Sequence, residues 1–308
     1  MGRPLHFETQ INRLESERES RQKLETLLSM FSQEINAEAS KHGVRNLLDS
    51  EGRINMQNYT NKAGGIFNQE SIEQDQKELR EKQILNSRAN ITAVQEHYKQ
   101  TYGIEGVDSI VKKQETLKKE KVGYRAEITL TVLLQKILGK NFWVVRSSEY
   151  DDNKFGVDTI IVNKETGEAV CGLDDAVEDE NTSSLQGVVS KGNLKRDQVK
   201  SHILQGRGGY AKYGLMVNRG QLQRAKMTNL PMFFLGITDS QLKELIHAMQ
   251  PNSHHISQKE KESFALLVAS LKEQLTEYRE ISRHQILKDK YTQFGEILNQ
   301  FEQIALQD

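Results

Sequence analysis

The sequence predicts an α/β protein: a central mixed sheet with flanking helices, extended on both sides by long, partly coiled-coil helical segments. Three observations predict it. Apolar residues recur at threes and fours through both ends of the chain, the spacing of one helix face. Between those ends the order is helix, three strands, helix, two strands, which builds a sheet covered by helices. The 308 residues are 36% hydrophobic, 28% charged and only 6% aromatic, a balance that suits a helix-rich chain with a modest core. The expected division is a helical arm over 1–105, an α/β core over 106–238 and a C-terminal helical extension over 239–308.

From Leu5 to about Lys41 the chain reads as one polar helix, with Ile11, Leu14, Leu24, Leu27, Leu28, Phe31 and Ile35 on its apolar stripe. The stretch ESERESRQK interrupts that stripe, so a coiled-coil seam here is imperfect. Asp49 to Gln69, rich in Asn and Gly, reads as loop, and a charged helix is expected from Ser71 to Tyr98. These two helices serve either as a packing hairpin or as an arm for a second copy or a partner protein.

A helix from about Val107 to Leu138 follows, stopped by Gly139. FWVVRS, FGVDTIIVN and AVCGLDDAV are strands by their β-branched and apolar content, the last two joined by the turn NKETG with Gly167 at its end. A helix from about Asn193 to Gln205 ends at GRGG, and YGLMVN and PMFFLGIT are further strands. DSQLKELIHAMQ reads as a helix capped by Asp239 and ended by Pro251, with one long helix from about Ser257 onward.

Formal net charge is -1, so no global bias points to nucleic acid or membrane. A single cysteine, Cys171, excludes an internal disulfide and reads as a small buried strand residue in a reducing compartment. MGRPLHFETQ carries no apolar signal core, and no run approaches the ~18 apolar residues of a membrane span. A cytoplasmic protein is the expectation.

The chemistry concentrates in acids set inside apolar runs. Asp158 shares a strand face with Ile160 and Val162, Asp174 with Val170 and Ala176, and Asp175 with Cys171 and Leu173. Pairing through NKETG brings Asp158 and Asp174 to one end of a hairpin. Glu127 stands in register with Leu130, Leu134 and Leu138, on the stripe of its helix that faces the core. Three converging carboxylates suit a hard divalent cation, Mg²⁺ or Mn²⁺. Their bland alternative is a solvated acidic strand end formed by Asp174, Asp175, Glu178 and Asp179.

Glu127 in YRAEITL, Asp158 in GVDTIIV and Asp174 in CGLDDAV resemble the acids of the PD-(D/E)XK nuclease superfamily. In that family a helix carries a Glu, and a following hairpin carries an Asp and a (D/E)-x-K triplet. The resemblance covers roughly residues 120–238 and implies a restriction-endonuclease-like core and a magnesium-dependent hydrolase of nucleic acid. It implies Glu127, Asp158 and Asp174 as catalytic, metal-binding acids. The chain departs from the pattern where Ala176 stands in place of the strand lysine. Lys195, on the helical face of Val199, His202 and Ile203, is the candidate replacement, with Lys191 and Lys200 behind it.

Between Lys191 and Lys226 the chain carries Lys195, Arg196, Lys200, Arg207, Lys212, Arg219 and Arg224 against one acid, Asp197. Lys191, Arg196, Lys200, Arg207 and Lys212 are therefore candidates for contact with a phosphate backbone, DNA or RNA. GRGGY lacks the spacing of a P-loop and reads as a helix cap and turn, and His254 with His255 as loop residues. The rival to a nuclease is a non-catalytic nucleic-acid-binding or scaffold protein, with a degenerate core of this kind on coiled-coil arms.

Overall fold

The computed structural model describes residues 4–85, 91–178, 191–218, 221–251 and 253–306. Asp179 and Arg219 lie outside that range, and the side chain of Lys191 lies outside the described part. Helix α1 (Pro4–Lys41) is continuous, as its polar periodicity predicts. Leu24, Leu27, Leu28, Phe31 and Ile35 are buried within the chain itself, in one contiguous apolar core that extends to Phe301. Over this stripe the segment packs within the chain, as the first of the two expected roles requires, and the coiled-coil arm is not seen there.

The loop after α1 is built around Asp49, whose Oδ1 accepts the N–H groups of Glu51 at 2.8 Å and Arg53 at 2.9 Å. Short 3₁₀ turns follow at Met56–Tyr59 and Asn61–Ala63. The single helix expected from Ser71 to Tyr98 is two, α2 (Gln69–Leu85) and α3 (Ile91–Tyr102), and residues 86–90 between them lie outside the described range. The next expected helix is also divided, into α4 (Val107–Lys119) and α5 (Val122–Leu138), at extended Lys121. Gly123, two residues past that break, is by itself too weak a signal to divide a helix.

Strand β1 (Phe142–Arg146) leads into α6 (Glu149–Phe155), then β2 (Thr159–Asn163) and β3 (Ala169–Glu178). The β2–β3 turn falls at NKETG, with Gly167 at φ +73° donating its N–H to Asn163 O at 2.9 Å. Helix α7 (Lys191–Leu204) follows, then β4 (Gly209–Asn218), β5 (Gln221–Leu230) and β6 (Met232–Thr238). The central sheet has the order β1-β2-β3-β6, antiparallel except for the parallel pair β3–β6. Strands β4 and β5 form a separate antiparallel ribbon. QLQRAKMTNL has one β-branched residue, Thr228, and no aromatic, so its strand signal is weak. Leu222, Arg224, Met227 and Leu230 are buried all the same, at spacings of two and then three.

Helix α5 packs on β1 and β3, and α7 on β3 and β6. Helix α8 (Asp239–Ala248) is capped by Thr238, in a reciprocal box with Gln241, one residue before the expected Asp239. The last helix is two, α9 (Gln258–Ile281) and α10 (Gln285–Leu306), folded on each other. From α9, Gln274 takes the N–H of Phe234 at 2.9 Å and donates to its carbonyl at 2.8 Å. That closes the open edge of β6, where unpaired backbone groups would otherwise stand buried. No described helix is long and apolar enough to cross a membrane.

Candidate acidic metal centre

Three elements bring the predicted acids together. Asp158 precedes β2 by one residue, and its N–H pairs with Leu173 O at 2.8 Å, which sets it beside Asp174 and Asp175 on β3. The Asp158 carboxylate also accepts the N–H of Asp175 at 2.7 Å. From the other side, α5 delivers Glu127. Ligand oxygens of Glu127, Asp152 and Asp158 all lie within 4.8 Å of one another, a spacing that can hold a metal ion.

Asp152 in this group is new. It comes from α6, which no strand or long-helix pattern announces. Its sequence signal was nevertheless present. Ser148 caps the helix by accepting the Asp151 N–H at 3.0 Å, and Gly156 closes it at φ +66°. Asp174 stands outside the set of three and is held instead by Lys195.

Alternation on β3 divides the two neighbouring acids. Asp174 meets Lys195 of α7, whose ammonium also donates to Asp175 O at 3.0 Å. Burial lowers the Lys195 pKa, but the charges of Asp174 and Asp158 outweigh it and the net shift is upward. Asp175 is 5% exposed, and neither of its carboxylate oxygens has a hydrogen-bond partner among the described residues. Burial, then the charges of Glu127 and Asp174, hold it well above the ordinary carboxyl range.

Arginines complete the site. Arg53 donates to Asp152 at 3.0 Å and to Glu127 at 3.3 Å, and Arg146 donates to Glu127 at 2.9 Å. Lys118 of α4 lies 3.5 Å from Asp152. Burial would raise Asp152, but Arg53 and Lys118 draw it down to about 2. Asp158, 6% exposed, feels the charges of Arg53 and Lys195 too weakly to offset burial: burial, then the charges of Asp152 and Glu127, push it well upward. The Arg53 side chain arrives because its backbone runs beside Arg146, with Ile54 N–H on Arg146 O at 3.0 Å. A polar loop arginine has no sequence signal for such a role.

The basic candidates have separate fates. Lys212 is paired with Asp75 and lies 4.9 Å over the ring of Phe67, so its charge is spent inside the protein. Lys200 pairs with Glu277 at 2.7 Å, and Arg196 lies 5.6 Å over Phe234. Arg224 donates to the carbonyls of Ala63 and Arg45, both at 3.1 Å. Arg207 is exposed, beside the Asp174–Lys195 pair.

Compared with known proteins, the chain matches no protein-family model, no curated protein and no solved structure.

Proposed function

We propose that this protein hydrolyses phosphodiester bonds of nucleic acid with a divalent cation, Mg²⁺ or Mn²⁺, at the Glu127–Asp158–Asp174 acids. One observation carries the proposal: Lys195 reaches Asp174 from α7, beside Asp158, where a strand lysine is missing. The order α5, β1, β2, β3, α7, with a later parallel strand β6, supports it as well. It is the order that the resemblance to PD-(D/E)XK nucleases implies.

The donor set suits such a cation. All its members are carboxylate oxygens, the ligands that hard divalent ions take. The buried Asp175 carboxyl, without a hydrogen-bond partner among the described residues, marks a place where carboxyl groups outnumber the cations that pair with them. A divalent cation, when bound, polarises a phosphoryl oxygen and acidifies a water. Asp158 and Glu127 would hold it, joined by Asp152 from α6 and, on the side of Lys195, by Asp174 from β3. Lys195 supplies a fixed positive charge beside the carboxylates, to orient the attacking water and offset charge as it develops on the phosphate.

A second reading has its own observation. Arg53 and Arg146 already occupy Glu127, as ion pairs of a purely structural network would. That favours a degenerate core serving a non-catalytic, nucleic-acid-binding or scaffold role.

The test is incubation of the purified chain with DNA and RNA in Mg²⁺, Mn²⁺ or EDTA. Asp158→Asn and Asp174→Asn should each cost about 4 kcal/mol of transition-state stabilisation, about a thousandfold in rate. Full cleavage by both variants would remove these acids from the mechanism. Absence of metal-dependent cleavage by wild type would leave the scaffold reading.

A further inference from the structure

Beside the Asp174–Lys195 pair is a pocket of about 80 Å³, between α7, the turn that follows it, and β6. Its polar wall carries Lys195, Gln198, His202 and Arg207, and its floor is Ile203 and Met232. On the measure by which one water needs ~10–15 Å³, this is room for roughly six waters, or one phosphate group with part of a sugar.

The wall is built by helix geometry and by its ending. Lys195, Gln198 and His202 fall three and four residues apart, on one face of α7. Gly206, at φ +71°, then turns the chain back, with its N–H on Ile203 O at 2.9 Å and Arg207 N–H on His202 O at 2.9 Å. Only a residue tolerant of positive φ completes this turn, and it carries Arg207 to the pocket that Lys195 borders.

The donors are available. An ammonium has three N–H groups, and Lys195 uses two, on Asp174 and on Asp175 O. The guanidinium of Arg207 meets no carboxylate among the described residues, only the side-chain oxygen of Gln205. Gln198 and His202 are exposed and make no side-chain hydrogen bond among the described residues. The single carboxylate on the wall, Asp174, is neutralised by Lys195. The net result is a cationic wall over a small apolar floor.

We infer that this pocket binds a phosphate group: resting on the hydrolytic reading above, the backbone phosphate next to the one attacked. Arg207 grips its oxygens, His202 and Gln198 donate from the helix, and the adjoining sugar lies against Ile203 and Met232. Lys195 then stands between the two phosphates.

The test is titration of inorganic phosphate into the full chain without divalent metal, followed by calorimetry. Wild type should show saturable binding, and Arg207→Ala should weaken it about tenfold or more, the loss of a charge-assisted contact. His202→Ala should weaken it less, and Lys243→Ala, a surface change on α8, should leave it unchanged. In a cleavage assay Arg207→Ala should raise KM and leave kcat nearly intact. Absence of saturable binding, or equal losses in Arg207→Ala and Lys243→Ala, would overturn the pocket. Phosphate binding that depends on Arg207 in a protein that cleaves nothing would keep the pocket and overturn the hydrolytic reading instead.

Discussion

The ammonium of Lys195 donates both to the Asp174 carboxylate and, at 3.0 Å, to the backbone oxygen of Asp175, so a helix side chain is clamped across two consecutive residues of β3. A strand lysine two places after Asp174 would have reached its own strand's acid from the same face. Here the charge comes from the next element, and its four-carbon stem spans the gap.

Lys195→Ala should therefore lower turnover about a hundredfold or more, the size of effect typical of a positioned proton-transfer or charge-stabilising group. Metal affinity should change little, because the carboxylates remain. Lys200→Ala removes only the partner of Glu277 and should leave turnover close to wild type. Rates for both variants, with metal affinity from calorimetry, check this; equal, mild effects would take Lys195 out of the site.

Asp158 carries a stability cost that follows pH. Asp152 faces it from α6, Glu127 from α5, Asp174 and Asp175 from β3, while Lys195 and Arg53 supply the opposing charge. Its folded pKa lies above its unfolded value, ~3.9, so its contribution favours the fold at low pH and is lost as pH rises through the folded value. Asp158→Asn keeps the acceptor for Asp175 N–H and removes the charge. The variant should be more stable than wild type at pH 7, by about 1–2 kcal/mol, with the difference vanishing near pH ~3. Thermal melts across that range measure it, and a destabilised variant at pH 7 would contradict it.

Arg53 acts as a built-in counter-cation for Glu127 and Asp152. Arg53→Met should cost about 1.5–3 kcal/mol, because it removes a buried cation from two largely buried carboxylates and leaves only Arg146 on Glu127 and Lys118 on Asp152. Mn²⁺ should restore part of that loss, since a ligand that binds only the folded state stabilises it. The Mn²⁺-induced rise in Tm should thus be larger for the variant than for wild type. Identical rises would show that metal and guanidinium do not share these acids.

Lys136 of α5 and Glu260 of α9 form an ion pair with both side chains fully buried. Lys136→Met should cost about 3–5 kcal/mol, since it leaves Glu260 charged in the core. Adding Glu260→Gln should recover most of it, because Gln keeps the capping box with Ser257. Denaturant titrations of the single and double variants test the coupling.

What the sequence determined was whatever depends on local pattern. Apolar, β-branched runs and the NKETG turn located β1, β2 and β3. A carboxylate inside an apolar run is conspicuous because burial is costly, so Asp158, Asp174 and Glu127 could be picked out singly. Helical spacing likewise singled out Lys195.

Tertiary structure decided how these groups are shared. The sequence grouped Glu127 with Asp158 and Asp174, yet the tight set is Glu127, Asp152 and Asp158, with Asp174 given to Lys195. Arg53 lies 74 residues from Glu127 in the chain, and only the bridge between its strand-like backbone and Arg146 brings it there. Lys212 looked like a surface cation until Asp75 of α2 folded over it. The apolar stripe of α1 had the pattern of a dimer seam, and what covers it is the chain's own core. Spacing along a strand or helix sets which face a residue occupies; the partner across that face comes from a distant segment, and no local period encodes it.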